Sequence, residues 1–123
     1  MPDYTITELK INYERLTQLP NDIHLYTNLK ILDCSYNEIT QLDNLPQGLK
    51  ELNCHSNNIT QLDNLPVGLK ILDCSYNKIS QLNNLPASLE KLYCYINPLI
   101  YDFEPTLKNI KKYIASNTKI SIR

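Results

Sequence analysis

Four cysteines, Cys34, Cys54, Cys74 and Cys94, stand 20 residues apart. Thiolates hold zinc or pair as disulfides, but a zinc site needs close cysteine pairs that converge on a tetrahedron. A constant interval of 20 instead sets each cysteine at an equivalent place of a repeated unit, all in a line. Neighbours in such a line fall within disulfide Cα range, yet their Cβ vectors run parallel rather than towards each other. The expectation is four free thiols stacked in a core as small hydrophobes, with no metal and no cofactor. Persistent free thiols belong to a reducing, intracellular compartment.

A hydrolytic relay needs a nucleophile, a base and an orienting group in reach of one another. The two histidines are His24 and His55, and the same 20-residue interval brings Ser35 and Ser75 to either side of His55, with Asp33 and Asp73 nearby. On an open face such a set does not exclude water, so no catalysis is expected. Lys30, Lys50 and Lys70 form a basic row interrupted by Glu90, and Asn58-Ile59-Thr60 is a glycosylation sequon with no leader to make use of it. With 12 basic against 13 acidic residues and a net charge of −1, the row is too weak a footprint for nucleic acid or an anionic membrane. No apolar run approaches 18 residues, and Met1 to Lys10 lack the basic-then-apolar order of a signal peptide.

The elements that position these residues come from the repeat. Residues 29–48 read LKILDCSYNEITQLDNLPQG, and residues 69–88 match them at 15 of 20 positions. Residues 49–68 match at 14 of 20. The shared frame is LxxLxCxxNxIxxLxxLPxx. Within it, LxC alternates as a short strand with one buried face, so Leu32 and Cys34 point inward while Asp33 and Ser35 point outward. One repeat cannot bury its leucines alone, but a stack can.

The frame resembles the leucine-rich repeat, LxxLxLxxNxL, with Cys in its third apolar slot. Its 20-residue length and LP step are similar to the short repeats of bacterial effector proteins, and its Cys-bearing, Asn- and Tyr-rich style to those of amoeba-infecting giant viruses. The resemblance implies a solenoid of the α/β horseshoe class that is largely β, and a protein-binding role. Twenty residues leave no room for a helix on the return path, so about five parallel strands should stack against an extended convex side stiffened by Pro46, Pro66 and Pro86.

The chain has 20 Leu and 15 Asn but only 2 Gly. Asn37, Asn57, Asn77 and Asn97 recur every 20 residues and are expected to form a buried ladder that satisfies backbone groups and holds the turn in place of glycine. Together with the four cysteines they make up the structural ladder.

The whole chain, 1–123, reads as a single domain. Residues 1–28 form an N-terminal cap and an irregular first repeat, with Glu14 at the ladder position and a 23-residue spacing that leaves room for a helical turn near Asp22 to Tyr26. Met1 to Thr5 are expected to cover the first apolar layer. Regular repeats cover 29–48, 49–68 and 69–88, and a last repeat covers 89–102. Residues 103–123 form a cap. Leu107, Ile110, Tyr113 and Ile114 are spaced as on a helix that Pro105 opens. A degenerate repeat, in which YIASN imitates strand and ladder and Thr118 to Arg123 form a strand or a tail, competes with that helix.

Between residues 29–48 and 49–68 five of the six differences fall in the strand region, where the outward face changes and the buried frame does not. That face is expected to bind an unidentified protein partner through Tyr13, Asp33, Ser35, Tyr36, Asn53, His55, Asp73, Ser75, Tyr76, Tyr93 and Tyr95, since tyrosine offers broad contact with few rotamers to freeze. The alternative is a self-associating solenoid, a homodimer joined at an exposed end or concave face to concave face.

Overall fold

The computed structural model describes the backbone of residues 1–121 and the side chains of residues 1–116. Each repeat contributes one three-residue strand: β1 (Glu8–Lys10), β2 (Ile31–Asp33), β3 (Glu51–Asn53), β4 (Ile71–Asp73) and β5 (Lys91–Tyr93). They pair in chain order as one parallel sheet, with Leu9, Leu32, Leu52, Leu72 and Leu92 in register. The result is a solenoid of about four turns. Among the described residues the return paths carry one short 3-10 turn, Ile23–Leu25, where the 23-residue first repeat has three residues to spare.

The sequence frame is the core. Leu32, Cys34, Ile39 and Leu49 are fully buried, and so are their equivalents Leu52, Cys54, Ile59 and Leu69 one repeat later. Each LPxxL step closes a turn in which the proline carbonyl accepts the amide of the next frame leucine, at 3.3 Å from Leu49 to Pro46 and 3.1 Å from Leu69 to Pro66. The prolines serve here because a turn's first residue needs its carbonyl and not its amide.

The asparagine ladder is present and has a direction. Asn57 Oδ1 accepts the Ile39 amide at 3.0 Å, while Nδ2 donates to the carbonyls of Cys34 and Cys54, both at 3.1 Å. Asn77 and Asn97 repeat the pattern on Ile59 and Ile79. Each asparagine therefore braces the repeat before its own. Asn37 does this for the irregular first repeat, accepting the amides of Glu14 and Leu16 and donating to the Ile11 carbonyl. Glu14 has no earlier repeat to brace, which accounts for the lost asparagine at that position.

The turn itself is made without glycine, and its left-handed residue is not the asparagine. Neither glycine has positive φ; the left-handed residue is the one just before the ladder position, Tyr13, Tyr36, Ser56, Tyr76 and Ile96, with φ between 52° and 60°. A left-handed L-residue costs roughly 1–2 kcal/mol. Here the ladder hydrogen bonds on either side hold it in place.

The ends close by separate means. Of Met1 to Thr5, it is Tyr4 that packs, ring to ring with Tyr26 at 4.9 Å and through its hydroxyl, which donates to Asp22; Met1 to Asp3 are exposed. At the other end the helical reading holds over the degenerate repeat. Helix α1 runs Leu107–Ser121 and starts two residues after Pro105, because Thr106 is the capping residue and its Oγ1 accepts the Asn109 amide. Ile110 is fully buried, and Tyr113 meets Tyr101 and Phe103 at ring distances of 5.3 and 5.7 Å. Lys111 Nζ donates to the open carbonyls of Leu89 and Ala87, at 2.6 and 3.2 Å. The strand or tail considered for Thr118 to Arg123 is replaced by helix through Ser121; Ile122 and Arg123, like the Asn117 side chain, lie outside the described residues.

Candidate functional site

The outward residues of five registered strands lie in rows about 4.8 Å apart along the concave face. The central row is Asp33, Asn53 and Asp73, all half-buried. Their side chains fold back on their own backbone: Asp33 Oδ1 accepts the Ser35 amide, Asn53 Oδ1 the His55 amide and Asp73 Oδ1 the Ser75 amide, at 3.0, 3.3 and 3.0 Å. A short acceptor two residues ahead of an amide is the ordinary Asx motif. Here it ends the strand and starts the turn into the left-handed residue.

The next row corrects one expectation. Ser35 and Ser75 lie on the outward side of the strand end but are only 2% and 5% exposed. Ser35 Oγ donates to Asp33 at 2.6 Å, and Ser75 Oγ accepts the Tyr95 amide at 3.0 Å. A side chain this short cannot reach past the rings beside it, so both serines support the face from beneath. His55, in the same row, is longer and half-exposed.

Above them the left-handed backbone lifts large rings into solvent. Tyr13, Tyr36 and Tyr76 are 68%, 45% and 58% exposed, and Tyr95, in the row of Ser35, His55 and Ser75, is 66% exposed. Tyr13 stacks on Tyr36 with ring centres 4.5 Å apart and planes 8° from parallel. Tyr36 meets His55 edge-on at 4.7 Å, and Tyr93 lies 6.4 Å from Tyr95. Offset stacks and edge-to-face pairs are the favoured ring geometries, so Tyr13, Tyr36 and His55 hold one another before anything binds. Partial burial and the neighbouring Tyr36 push the Tyr13 hydroxyl above its ordinary range, which keeps it a neutral donor.

The structure brings together a groove of about 500 Å³ between Tyr36, His55, Asp73, Ser75, Tyr76 and Tyr95. Ser56 also lines it, and the sequence reading missed that residue. His55 Nδ1 shares a hydrogen bond with Ser56 Oγ at 2.9 Å, so its nearest hydroxyl is neither Ser35 nor Ser75. Ile31, Glu51 and Ile71 also lie half-exposed on this face, in the first outward row, and only their alternation around the frame leucine could have flagged them.

The cysteines lie on the other side of the sheet, inside the stack. All four are free thiols; Cys34, Cys54 and Cys74 are fully buried and Cys94 partly so. Burial pushes the Cys34 thiol up to about 12 and raises the other three. Among the described residues no three His, Cys, Asp or Glu side chains converge as metal ligands, and no helix is long and apolar enough to cross a membrane. On the flank, Lys70 pairs with Glu90 at 3.7 Å, so one of the three row lysines is engaged by an acid.

The comparisons agree with this geometry. A family model described as leucine rich repeats, two copies, matches residues 27–67, and one described as leucine rich repeat matches residues 68–92. No curated protein matches significantly. Among solved structures, a Shigella effector LRR domain superposes with a TM-score of 0.58 at 29% identity, over 78% of this chain and 52% of that one. The chain thus spans about half the length of that structure. The matched frame, the registered strands and the asparagine brace lead to one conclusion: the chain belongs to the leucine-rich repeat family.

Proposed function

We propose that this protein is a binding module that reads a protein partner through its concave face. The family consists in general of protein-interaction modules, which fits the reading. The observation that carries it is the exposed aromatic set, Tyr13, Tyr36, His55, Tyr76 and Tyr95, in which Tyr13, Tyr36 and Tyr76 stand on left-handed backbone and ring contacts order Tyr13, Tyr36 and His55. Left-handed non-glycine residues concentrate where a chain has a ligand to meet. Asp33, Asn53, Asp73 and Tyr93 complete the contact surface, and Ser35 and Ser75 stiffen it. A reducing compartment is the proposed setting, which suits four free thiols. No catalytic role is proposed.

The test is co-purification from cells that make the protein, comparing the native chain with a variant in which Tyr36, His55, Tyr76 and Tyr95 are all serine. Loss of a stoichiometric partner from the variant, with its melting temperature kept, supports the proposal. Equal recovery by both chains overturns it.

Self-association is a second reading, favoured by the outer edge of β1, since that strand pairs with β2 alone. Sedimentation over a wide concentration range decides it: a strict monomer removes it.

A further inference from the structure

The groove on the concave face holds a carboxylate with unused capacity. Asp73 Oδ1 accepts the Ser75 amide, while among the described residues Oδ2 has no hydrogen-bond partner. Among the described residues no lysine or arginine nitrogen lies within ion-pair distance of it; the ion pairs there are Lys10 with Glu8 and Lys70 with Glu90. On this face the cations Lys10 and Lys91 sit on the two end strands, and Lys10 is held by Glu8. The centre carries Asp33, Glu51 and Asp73 instead. Around Asp73 stand Tyr36, Tyr76 and Tyr95, whose faces are electron-rich, and the edge contact with His55 fixes the Tyr36 ring. At about 500 Å³ the groove exceeds what a single side chain needs and is open to solvent, so an inserted group can enter without displacing the core.

A carboxylate oxygen awaiting a donor, ringed by aromatic faces, is complementary to a planar cation. The guanidinium group suits it better than an ammonium, because it stacks on a ring and donates in-plane to a carboxylate at the same time. We propose that this groove seats an arginine side chain presented by the protein partner. The inference rests on the concave face being the binding face and adds the chemistry of its anchor. The guanidinium donates to Asp73 Oδ2 and lies against Tyr76 or Tyr95, with Tyr36 as the opposite wall. Asn53, beside Asp73 in register, keeps a second carboxylate from standing next to the first.

The experiment is an amide-shift titration of the isotope-labelled full chain with the peptide acetyl-Gly-Ser-Arg-Ser-Gly-amide. Its controls are the same peptide with citrulline, the neutral isostere of arginine, and with lysine. The expected result is saturable shifts confined to the amides around His55, Asp73, Ser75, Tyr76 and Tyr95. Citrulline and lysine peptides should bind at least tenfold and threefold more weakly. Asp73→Asn keeps an oxygen for the Ser75 amide and should lose binding at least tenfold while the remaining spectrum is unchanged. Tyr76→Leu, on the groove wall, should lose several-fold. The proposal is overturned if the arginine peptide gives no saturable shift, if citrulline or lysine binds equally, or if Asp73→Asn binds as the native chain does. Any of these results leaves the concave-face reading standing so long as the four-serine variant still loses its partner; retention of the partner by that variant sinks the wider reading instead.

Discussion

Asn57 takes the backbone amide of Ile39 at 3.0 Å, across the boundary between two repeats. The brace points towards the N-terminus, so the cost of losing an asparagine depends on what lies before it. Asn57→Ala leaves the Ile39 amide unpaired in a buried place, while the Cys34 and Cys54 carbonyls keep the bonds from Asn37 and Asn77, at a cost of roughly 1–3 kcal/mol. Glu14→Asn, at the same place of a repeat with none before it, should change stability by less than about 0.5 kcal/mol. Denaturant midpoints of the two variants check the direction of the ladder; an unchanged midpoint for Asn57→Ala sinks it.

The buried thiols make the fold sensitive to alkali. In the unfolded chain a cysteine titrates near its ordinary 9.0, whereas burial pushes Cys34 up to about 12. Between those values the unfolded state has lost a proton that the folded state keeps, so stability is full below pH 9 and falls as pH rises towards 12. The melting temperature should drop over this window, and Cys54→Val should flatten the drop.

Thiol titration follows from the same burial. Under native, non-reducing conditions Cys34, Cys54 and Cys74 should resist a thiol reagent, and half-buried Cys94 should react first. All four should react after unfolding. A native disulfide would contradict the parallel stacking of these side chains.

Ile96 is a β-branched residue at φ 52°, where such residues are outliers, and it is 68% exposed. Ile96→Asn relieves the strain without removing core contacts and should stabilise the protein by about 1 kcal/mol. Urea denaturation measures it.

The terminal helix is tied to the last repeat through Lys111 as well as Ile110. Lys111→Met should leave the strands intact and loosen α1, seen as faster proteolysis beyond Pro105 and a stability loss of about 1 kcal/mol.

The period of 20 was enough to set the register of β2 to β5, because a frame of Leu, Cys, Asn and Ile can bury itself in one stacking only. It also set the thiol line and the position of the ladder, while the three- and four-residue spacing of Leu107, Ile110 and Ile114 beyond the repeats marked the helix. Four things depended on the tertiary structure. Alternation along a strand gives a direction and not a depth, so it could not tell that Ser35 and Ser75 sit beneath the rings. Residue types do not reveal backbone sign when Tyr, Ser and Ile share the left-handed place; the hydrogen bonds from the next repeat impose it. The direction of the ladder, and the groove that gathers Tyr36, Asp73 and Tyr95 from three repeats, exist only once the turns are stacked, because each is a relation between neighbours that no single repeat contains.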